Sequence, residues 1–487
     1  MFKNSDNRIV IVSNFPFQDR KARGRTQHKL WITLTQAMYN FIKEGDAMLL
    51  VSPQSWGSPS NKVLDIFKQN NVKYINFDTG KHFPTVGSSF SDYLIVKGTN
   101  DKLATKLYIN NQESDFSFSD KLLYIPNDVC KHSLSIHEKV IFSQEDKLDV
   151  EHDYVTCHNI LLKKDDPSLS KTKTDKHIYP IFHTNRQIWF SSNKQEFLEQ
   201  KKVMWGRSGY TLPFYDSGTK GCTDMGYFVR VDSEEQGHRL EKYLNTPLFQ
   251  YIFNTAKWSG FGNEKVFKAL PNIKERDFTT DEELYEYFGL SKEEVDYFIN
   301  YKKISKAQKS QQKAEVRSQE RSDNYGEVFT PEPCVNEMYN RKEVPQDLWS
   351  ESSTVFIDPA CGNGNFLIEV IKRKVANGST IIEAVETTYG ADIMPDNVDE
   401  CRYRILSYIH YNHPVHYGSA ATRPVIMKAL KNNIRLGDSI QFEMEDIFSD
   451  KPSEELETFR NSKRVNYVPN MQELREKYQT HLKAKSA

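Results

Sequence analysis

The sequence has little of what would place it at once. No apolar run approaches the roughly 20 residues that cross a membrane, and the opening Met1-Phe2-Lys3-Asn4-Ser5-Asp6 has no apolar signal core. The six cysteines (130, 157, 222, 334, 361 and 401) include no C-x-x-C pair. That spacing supports neither a disulfide framework nor a zinc site, so no metal is expected and a reducing cytoplasm is the expected compartment. No repeat of solenoid period is present. Nor is there an excess of either charge: 65 Lys and Arg stand against 66 Asp and Glu, a formal net charge of −1. No global field draws this protein onto nucleic acid, so any such surface has to be local. Two stretches qualify. Arg20-Lys21-Ala22-Arg23-Gly24-Arg25, with Lys29, gathers five cations. Residues 302–321 hold Lys302, Lys303, Lys306, Lys309, Lys313, Arg317 and Arg321 against Glu315 and Glu320. A charge run is more often a solvated face than a binding site.

What is present is an ordinary globular composition, 27% charged and 12% aromatic, over 487 residues. That length is enough for two or more domains. The first hundred residues alternate strand and helix signals. Arg8 to Val12 is a short β-branched run, Thr33 to Ile42 reads as helix, and Ala47 to Val51 is a second strand closed by Ser52-Pro53. Lys62 to Gln69 is helical again and Tyr93 to Val96 is another strand, the rhythm of a parallel sheet. From 101 to 315 the rhythm stops. The stretch is polar, aromatic-rich and irregular, with strand-like pieces such as Gln187-Ile188-Trp189-Phe190. It ends in helices opened by Asp281 and by a capping box at Ser291, then a Lys- and Gln-rich connector over 302–320. The β-α-β rhythm then returns, with strands expected at 354–357, near Ala384 to Thr388 and at Asn433-Ile434-Arg435, and a helix from Asp396 to Ile409.

These readings give an α/β fold class: one sheet made by both chain ends, with a mixed α+β domain inserted between them. The boundaries are 1–100 and 316–450 for the two halves of the sheet domain, 101–315 for the insert with its connector, and 451–487 for a charged, partly helical tail.

Two motifs carry chemistry. Thr354 to Ile357 is an apolar strand that runs into Asp358-Pro359-Ala360-Cys361-Gly362-Asn363-Gly364-Asn365-Phe366-Leu367 and then a helix. Gly362 and Gly364 let a ligand approach the backbone closely. The helix N-terminus supplies free N–H groups, and Asp358 supplies a fixed negative charge. The acid precedes the glycines and their spacing is shorter than G-x-G-x-x-G. That suits a cationic, amine-bearing nucleoside better than a diphosphate.

The second motif, Ser13-Asn14-Phe15-Pro16-Phe17, follows the first strand directly. In an open α/β sheet ligands bind at the carboxyl ends of strands, which puts Asn14 to Phe17 on the same rim as Asp358. An exocyclic amine on a nucleobase is a poor nucleophile because its lone pair is delocalised into the ring. Two acceptors holding its N–H bonds would localise that pair: the Asn14 side-chain oxygen, and the Phe15 carbonyl, presented reproducibly because Pro16 restricts Phe15 to extended conformations. Phe17 offers a ring on which a base can stack. N-F-P-F alone more often marks a turn or a core contact, and the glycine loop alone is a moderate signal, since small loops of this kind also occur structurally. Their conjunction on one rim is the stronger signal.

At these residues the chain resembles the S-adenosylmethionine-dependent N6-adenine DNA methyltransferases of restriction–modification systems. D-P-A-C-G-N-G-N-F-L (358–367) is similar to their first cofactor motif, which implies cofactor contacts from Asp358, Ala360, Gly362, Gly364 and Phe366. N-Y-G-E-V-F-T-P (324–331) resembles the preceding motif, with Thr330 and Pro331 over the methionine end. G-A-D-I-M-P (390–395) implies Asp392 at the ribose and Ile393 against the adenine, and N-I-R-L-G-D-S (433–439) implies Asp438 near the adenine amine. N-F-P-F stands where the family has N-P-P-Y or N-P-P-F. The order resembles the permuted class, in which the catalytic motif comes first, then the target-recognition domain, then the cofactor motifs. Ala47 to Pro53 and Phe83 to Gly87 resemble later motifs of the catalytic half. Segments 205–210, 244–248 and 257–261 resemble recurring pieces of the recognition domains, which brings Arg207, Lys257 and Trp258 forward as DNA contacts beside Arg20, Lys21, Arg23 and Arg25.

The resemblance implies a Rossmann-like methyltransferase sheet, an adenine flipped out of duplex DNA, and a bacterial or viral cytoplasmic enzyme, with a separate restriction endonuclease as an open partner. Phe15 departs from the family's Pro. The rRNA adenine dimethyltransferases also carry an apolar residue there, so an RNA adenine methyltransferase and a catalytically weakened DNA-binding relative stand as alternatives. Asn14, where cytosine enzymes usually have Ser, favours adenine. A fused nuclease is not expected, since no acid-acid-lysine cluster stands out.

Overall fold

The computed structural model describes residues 2, 6–17, 30–59, 61–83, 89–98, 104–153, 168–183, 187–207, 212–258, 264–301, 321 and 327–485, with side chains up to 478. The chain divides into two compact units. One is Met1–Trp56, Asp65–Phe118 and Gln308–Ala487; the other is Gly57–Leu64 and Ser119–Ala307.

The strands, in chain order, begin with β1 (Ile9–Asn14), β2 (Ala47–Pro53), β3 (Asn71–Asn76), β4 (Phe90–Val96), β5 (Thr105–Ile109) and β6 (Gln112–Phe116). The second unit holds β7 (Val150–His152), β8 (Leu169–Ser170), β9 (Tyr179–Phe182), β10 (Ile188–Ser191), β11 (Lys202–Gly206), β12 (Phe214–Asp216), β13 (Gly221–Cys222) and β14 (Gly226–Arg230). The last three, β15 (Val355–Asp358), β16 (Thr388–Asp392) and β17 (Ile434–Leu436), return to the first unit.

The first unit is α/β, built on a nine-stranded, mostly parallel sheet of order β17-β16-β15-β1-β2-β4-β3-β5-β6. Its centre is β1, whose Ile9, Val10, Ile11 and Val12 are all buried, as expected of a strand covered on both faces. β1 pairs in parallel with β15 on one side, Ile9 opposite Val355, and with β2 on the other, Val10 opposite Ala47. From β15 the order steps outward through β16 and β17; from β1 it steps the other way. The reversal falls between β15 and β1, and a crevice opens at the carboxyl ends of strands at such a point. Two helices matter for that crevice. Asn365–Ala376 follows β15 and packs Leu367, Val370 and Ile371 into the core with Val10 and Phe356. Pro395–Asn412 follows β16 and starts on a proline, whose missing N–H costs nothing at a helix start.

Three sequence expectations are corrected. Ala384 to Thr388 is not a strand. Thr380 and Glu383 form a capping box that starts a helix over Ile381–Glu386, and β16 begins only at Thr388. The first segment does not leave the sheet at residue 100: β5 pairs in parallel with β3, and β6 closes a hairpin on β5. Asn110 and Asn111 turn that hairpin with φ of 52° and 60°, and their N–H groups bond to the Asp78 carboxylate at 2.7 and 2.9 Å. The sheet is also not uniformly parallel, because β4 runs antiparallel to both β2 and β3.

The second unit is mixed α+β. It contains the sheets β12-β11-β14-β7 and β13-β9-β10-β8, whose Met204, Phe228, Phe182 and Cys222 share one small core. Its helices include Glu234–Leu244, Pro247–Thr255, Asp281–Tyr287 and Lys292–Ile299, the last with the capping box read at Ser291 and Glu294.

Candidate functional site

The crevice of the first unit is a cavity of about 430 Å³. Its wall is made by the carboxyl ends of β1 (Asn14, Pro16), β15 (Asp358 to Gly362), β16 (Asp392 to Met394) and β17 (Gly437, Asp438), together with the segment 327–330. The two motifs that are far apart in sequence therefore meet. Among the described residues, four carboxylates line the cavity, those of Glu327, Asp358, Asp392 and Asp438, against one ammonium group, Lys463. That balance favours a ligand carrying positive charge.

Asp358 ends β15 and is 1% exposed. Both groups that donate to it meet the same oxygen: the Ser13 hydroxyl at 2.7 Å and the Ala360 N–H at 3.1 Å, each to Oδ1. Burial pushes its pKa up to about 7, with a smaller push from the Asp392 charge; the Ser13 and Ala360 bonds oppose the rise. Asp392 ends β16 and is wired differently. It accepts from the Gly362 N–H at 2.9 Å, the Met394 N–H at 2.8 Å and the Asn397 amide at 3.1 Å. Burial dominates here too and lifts its pKa to about 6.

The glycine loop is held from below and left open above. Gly362 has φ of +53°, and a Cβ there would come within 3.0 Å of the Phe329 ring. Gly364 caps the helix Asn365–Ala376 with φ of +86°, and its Cβ would strike the Cys401 sulfur at 2.5 Å. The Arg404 guanidinium bonds Asn363 O at 2.8 Å and Asn365 Oδ1 at 2.6 Å, while Asn365 Nδ2 bonds Thr330 O at 2.7 Å. One side chain thus pins the loop and the segment facing it.

Of the residues singled out in sequence, Asn14, Pro16, Thr330, Asp358, Ala360, Gly362, Phe366, Asp392, Ile393 and Asp438 line the cavity. Phe15, Phe17, Pro331 and Gly364 do not form its wall. The Phe15 ring is 1% exposed in the core. The Phe17 ring lies against Phe90, centroids 4.9 Å apart, and Phe90 against Phe83 at the same spacing. Pro331 caps the helix Glu332–Tyr339.

In the second unit Arg207 bonds through its backbone N–H to Met225 O at 2.8 Å. The Trp258 indole donates to Ile125 O at 2.6 Å, and the Lys257 carbonyl accepts from Asn127 at 2.7 Å. Arg20, Lys21, Arg23, Arg25 and the connector 302–320 lie outside the described residues.

Among the described residues, four polar side chains on the cavity wall have buried atoms without a hydrogen-bond partner. Asn14 leaves both Oδ1 and Nδ2 unmet, Thr330 its hydroxyl, Glu327 its Oε1 and Asn397 its Oδ1. An unmet buried polar atom costs about 1–3 kcal/mol, so four such residues around one cavity point to a ligand that supplies the missing partners. Glu327 and Asn397 were not singled out in sequence. The only trace of Glu327 there is its place within 324–331, and Asn397 has none.

No family model matches the chain, and no curated protein matches it. Similar solved structures include the type IIG restriction endonuclease BpuSI, at 11% identity and a TM-score of 0.22, over 54% of this chain and 44% of that one. They also include the type IIL restriction-modification enzyme MmeI in complex with DNA, at 10% identity and a TM-score of 0.25, over 55% and 45%. The chain spans less than half the length of these two structures. Among the described residues no helix is long and apolar enough to cross a membrane, and no group of three or more His, Cys, Asp or Glu is arranged to hold a metal ion.

Proposed function

We propose that this protein transfers a methyl group from S-adenosyl-L-methionine to the N6 amine of an adenine in double-stranded DNA, as the modification activity of a restriction–modification system. The observation that carries the reading is the Asn14 amide: both of its polar atoms are buried and unpartnered beside the cavity that Asp358 and the glycine loop enclose.

The cavity's own residues fit the donor. Its carboxylates suit a sulfonium and an ammonium group, Gly362 leaves room where a Cβ would strike Phe329, and the Thr330 hydroxyl lacks a partner. Thr330 and Pro331 would hold the methionine end, Asp358 with Ala360, Gly362, Gly364 and Phe366 the centre, and Asp392, Ile393 and Asp438 the nucleoside. When bound, the donor supplies an electrophilic methyl group.

The rest of the chemistry is positioning by the chain. The Asn14 oxygen and the Phe15 carbonyl accept the two N–H bonds of the adenine amine, which localises its lone pair toward the cavity. Pro16, on the wall, fixes the Phe15 carbonyl. The adenine reaches this rim by leaving the duplex stack, at a cost of about a few kcal/mol. Cations at Arg20, Lys21, Arg23 and Arg25 grip the flanking phosphates, and the second unit reads the target through Arg207, Lys257 and Trp258. In this reading Phe17 supports the rim through Phe90 as well as facing the base.

Asn14→Ala should lower N6-methyladenine formation by roughly 100-fold or more and leave S-adenosylhomocysteine binding unchanged. Mass spectrometry of DNA from cells expressing each form, with calorimetry on the purified proteins, measures both. Full methyl transfer by Asn14→Ala overturns the assignment. Methylation of RNA with none of DNA moves the substrate to the RNA alternative.

A further inference from the structure

The tail that follows β17 takes no part in the proposed reaction, yet it is fastened to the elements that build the site. In the helix Glu454–Arg464 the Arg460 guanidinium donates to Leu436 O at 2.9 Å and to Ile447 O at 2.7 Å, so it ties the tail to the end of β17. Lys463 of the same helix stands on the cavity wall. Further on, the Tyr467 hydroxyl donates to Asp399 Oδ2 at 2.9 Å. The last helix, Met471–Lys485, then packs against Pro395–Asn412.

The far end of the tail meets a buried charge. Glu400, in Pro395–Asn412, is 1% exposed. A carboxylate held that far from water has to be paired. Its Oε1 receives the Lys477 ammonium at 2.9 Å and the Tyr478 hydroxyl, both from the last helix. Arg404 lies one turn beyond Glu400 and shares its side of the helix. The Arg404 guanidinium sits over the Tyr478 ring, 5.4 Å from its centroid, and the Tyr403 ring pairs with Tyr478 at 6.1 Å. This is the guanidinium that bonds Asn363 O and Asn365 Oδ1 in the glycine loop. A guanidinium attracted to a ring face keeps its in-plane donors for other partners. Tyr478 therefore touches neither the cavity nor the loop, but touches the one side chain that pins the loop.

We infer that the C-terminal tail is a strap of the donor site and that Tyr478 is a positioning residue: docked on Glu400, its ring holds the Arg404 guanidinium in the orientation that fixes the glycine loop. This inference rests on the proposed cofactor. The coupling runs in both directions, so a ligand seated on the loop also holds the tail down.

The test is calorimetric binding of S-adenosylhomocysteine to the full chain and to Tyr478→Ala, Tyr478→Phe, Arg404→Ala and the double variant Tyr478→Ala with Arg404→Ala. Hydrogen exchange of the 471–478 amides is followed alongside. Tyr478→Ala should weaken binding about fivefold. Tyr478→Phe keeps the ring and should recover most of that loss. Arg404→Ala should weaken binding at least as much as Tyr478→Ala, and the double variant no further than Arg404→Ala alone, because the tyrosine acts through the arginine. In the native chain the ligand should slow exchange of the 471–478 amides. Native affinity in Tyr478→Ala, or single losses that add in full in the double variant, overturns the inference and leaves the cofactor reading standing. So does tail exchange in the native chain that the ligand leaves unchanged, a readout that needs no variant. Failure of the native chain to bind S-adenosylhomocysteine at all overturns the cofactor reading and this inference with it.

Discussion

Two aspartates on one sheet, Asp92 in β4 and Asp358 in β15, are buried to the same extent, each 1% exposed, and wired for opposite ends. Asp92 is closed. It accepts from the Tyr74 hydroxyl at 2.8 Å, the Asn76 amide at 2.8 Å and the Thr79 hydroxyl at 2.6 Å, so both of its oxygens are met. Asp358 is open: its donors, Ser13 and Ala360, share one oxygen, and the residue faces a cavity. A buried carboxylate surrounded by donors belongs to the architecture. One with donors on a single side is held ready for a partner. Burial by itself distinguishes nothing here; the count and direction of donors does.

The largest expected effects set these two residues against each other. Asp92→Ala strands three donors in the core and should cost about 3 kcal/mol or more of unfolding free energy in a denaturant titration. Asp358→Asn removes a charge that is costly to bury and should leave stability unchanged or raise it by up to about 4 kcal/mol. Its effect should fall on ligand affinity, with S-adenosylmethionine binding weakened about 30-fold or more. If Asp358→Asn unfolds the protein and Asp92→Ala does not, the contrast between an architectural and a ligand-facing carboxylate is broken.

A smaller effect appears with pH. The folded-state pKa values of Asp358 and Asp392, about 7 and about 6, lie above the ordinary carboxylate value, so the folded state holds protons that the unfolded chain has released. Unfolding free energy contributed by these groups is therefore present near pH 4 and is lost as pH rises toward 7, by an amount on the order of a few kcal/mol. A cationic ligand reverses the preference. Its binding between pH 6 and 7 should release protons, visible as a dependence of the calorimetric heat on the ionisation enthalpy of the buffer. Asp358→Asn should remove a large part of that release.

The smallest effect sharpens the role of Ser13. Its hydroxyl gives the stronger of the two bonds that hold the Asp358 pKa down. Ser13→Ala should weaken donor binding several-fold at pH 7, up to about tenfold, and shift the pH midpoint of binding upward. Ser13→Thr, which keeps the hydroxyl, should restore both. A loss of affinity that is the same at every pH would show that Ser13 only packs.

The parts of this molecule legible in sequence are those in which a strand runs directly into its chemistry. Val355 to Asp358 with the glycines after it, and Ile9 to Asn14, each carry strand and site in consecutive residues, so period and motif coincide; Gly390 to Asp392 is legible as a motif alone, because its strand is expected several residues earlier. Glu327 and Asn397 are not legible locally because they meet only in the fold, across 70 positions of chain. The sequence offers the Phe17 ring as a stacking surface. Its contact with Phe90 depends on β4 running antiparallel beside β2, and no local pattern announces strand direction. The hairpin β5–β6 is not legible in sequence because Gln112-Glu113-Ser114-Asp115-Phe116 has the composition of a loop; its place comes from Asn110-Asn111 and from Lys106, which pairs with Glu113 at 3.0 Å and Asp115 at 2.8 Å.

The adjacency of β1 and β15 has a consequence for how the molecule comes into being. Ser13 and Asp358 touch across 345 positions of chain. At a synthesis rate of about 5–20 residues per second, β1 waits roughly 20–70 s on the ribosome before its β15 neighbour emerges. During that interval its Ile9-Val10-Ile11-Val12 edge is an unpaired, strongly apolar template for misassembly. The chain therefore completes its cavity and its most aggregation-prone seam in the same late event. A nascent or truncated product that stops short of β15 has neither.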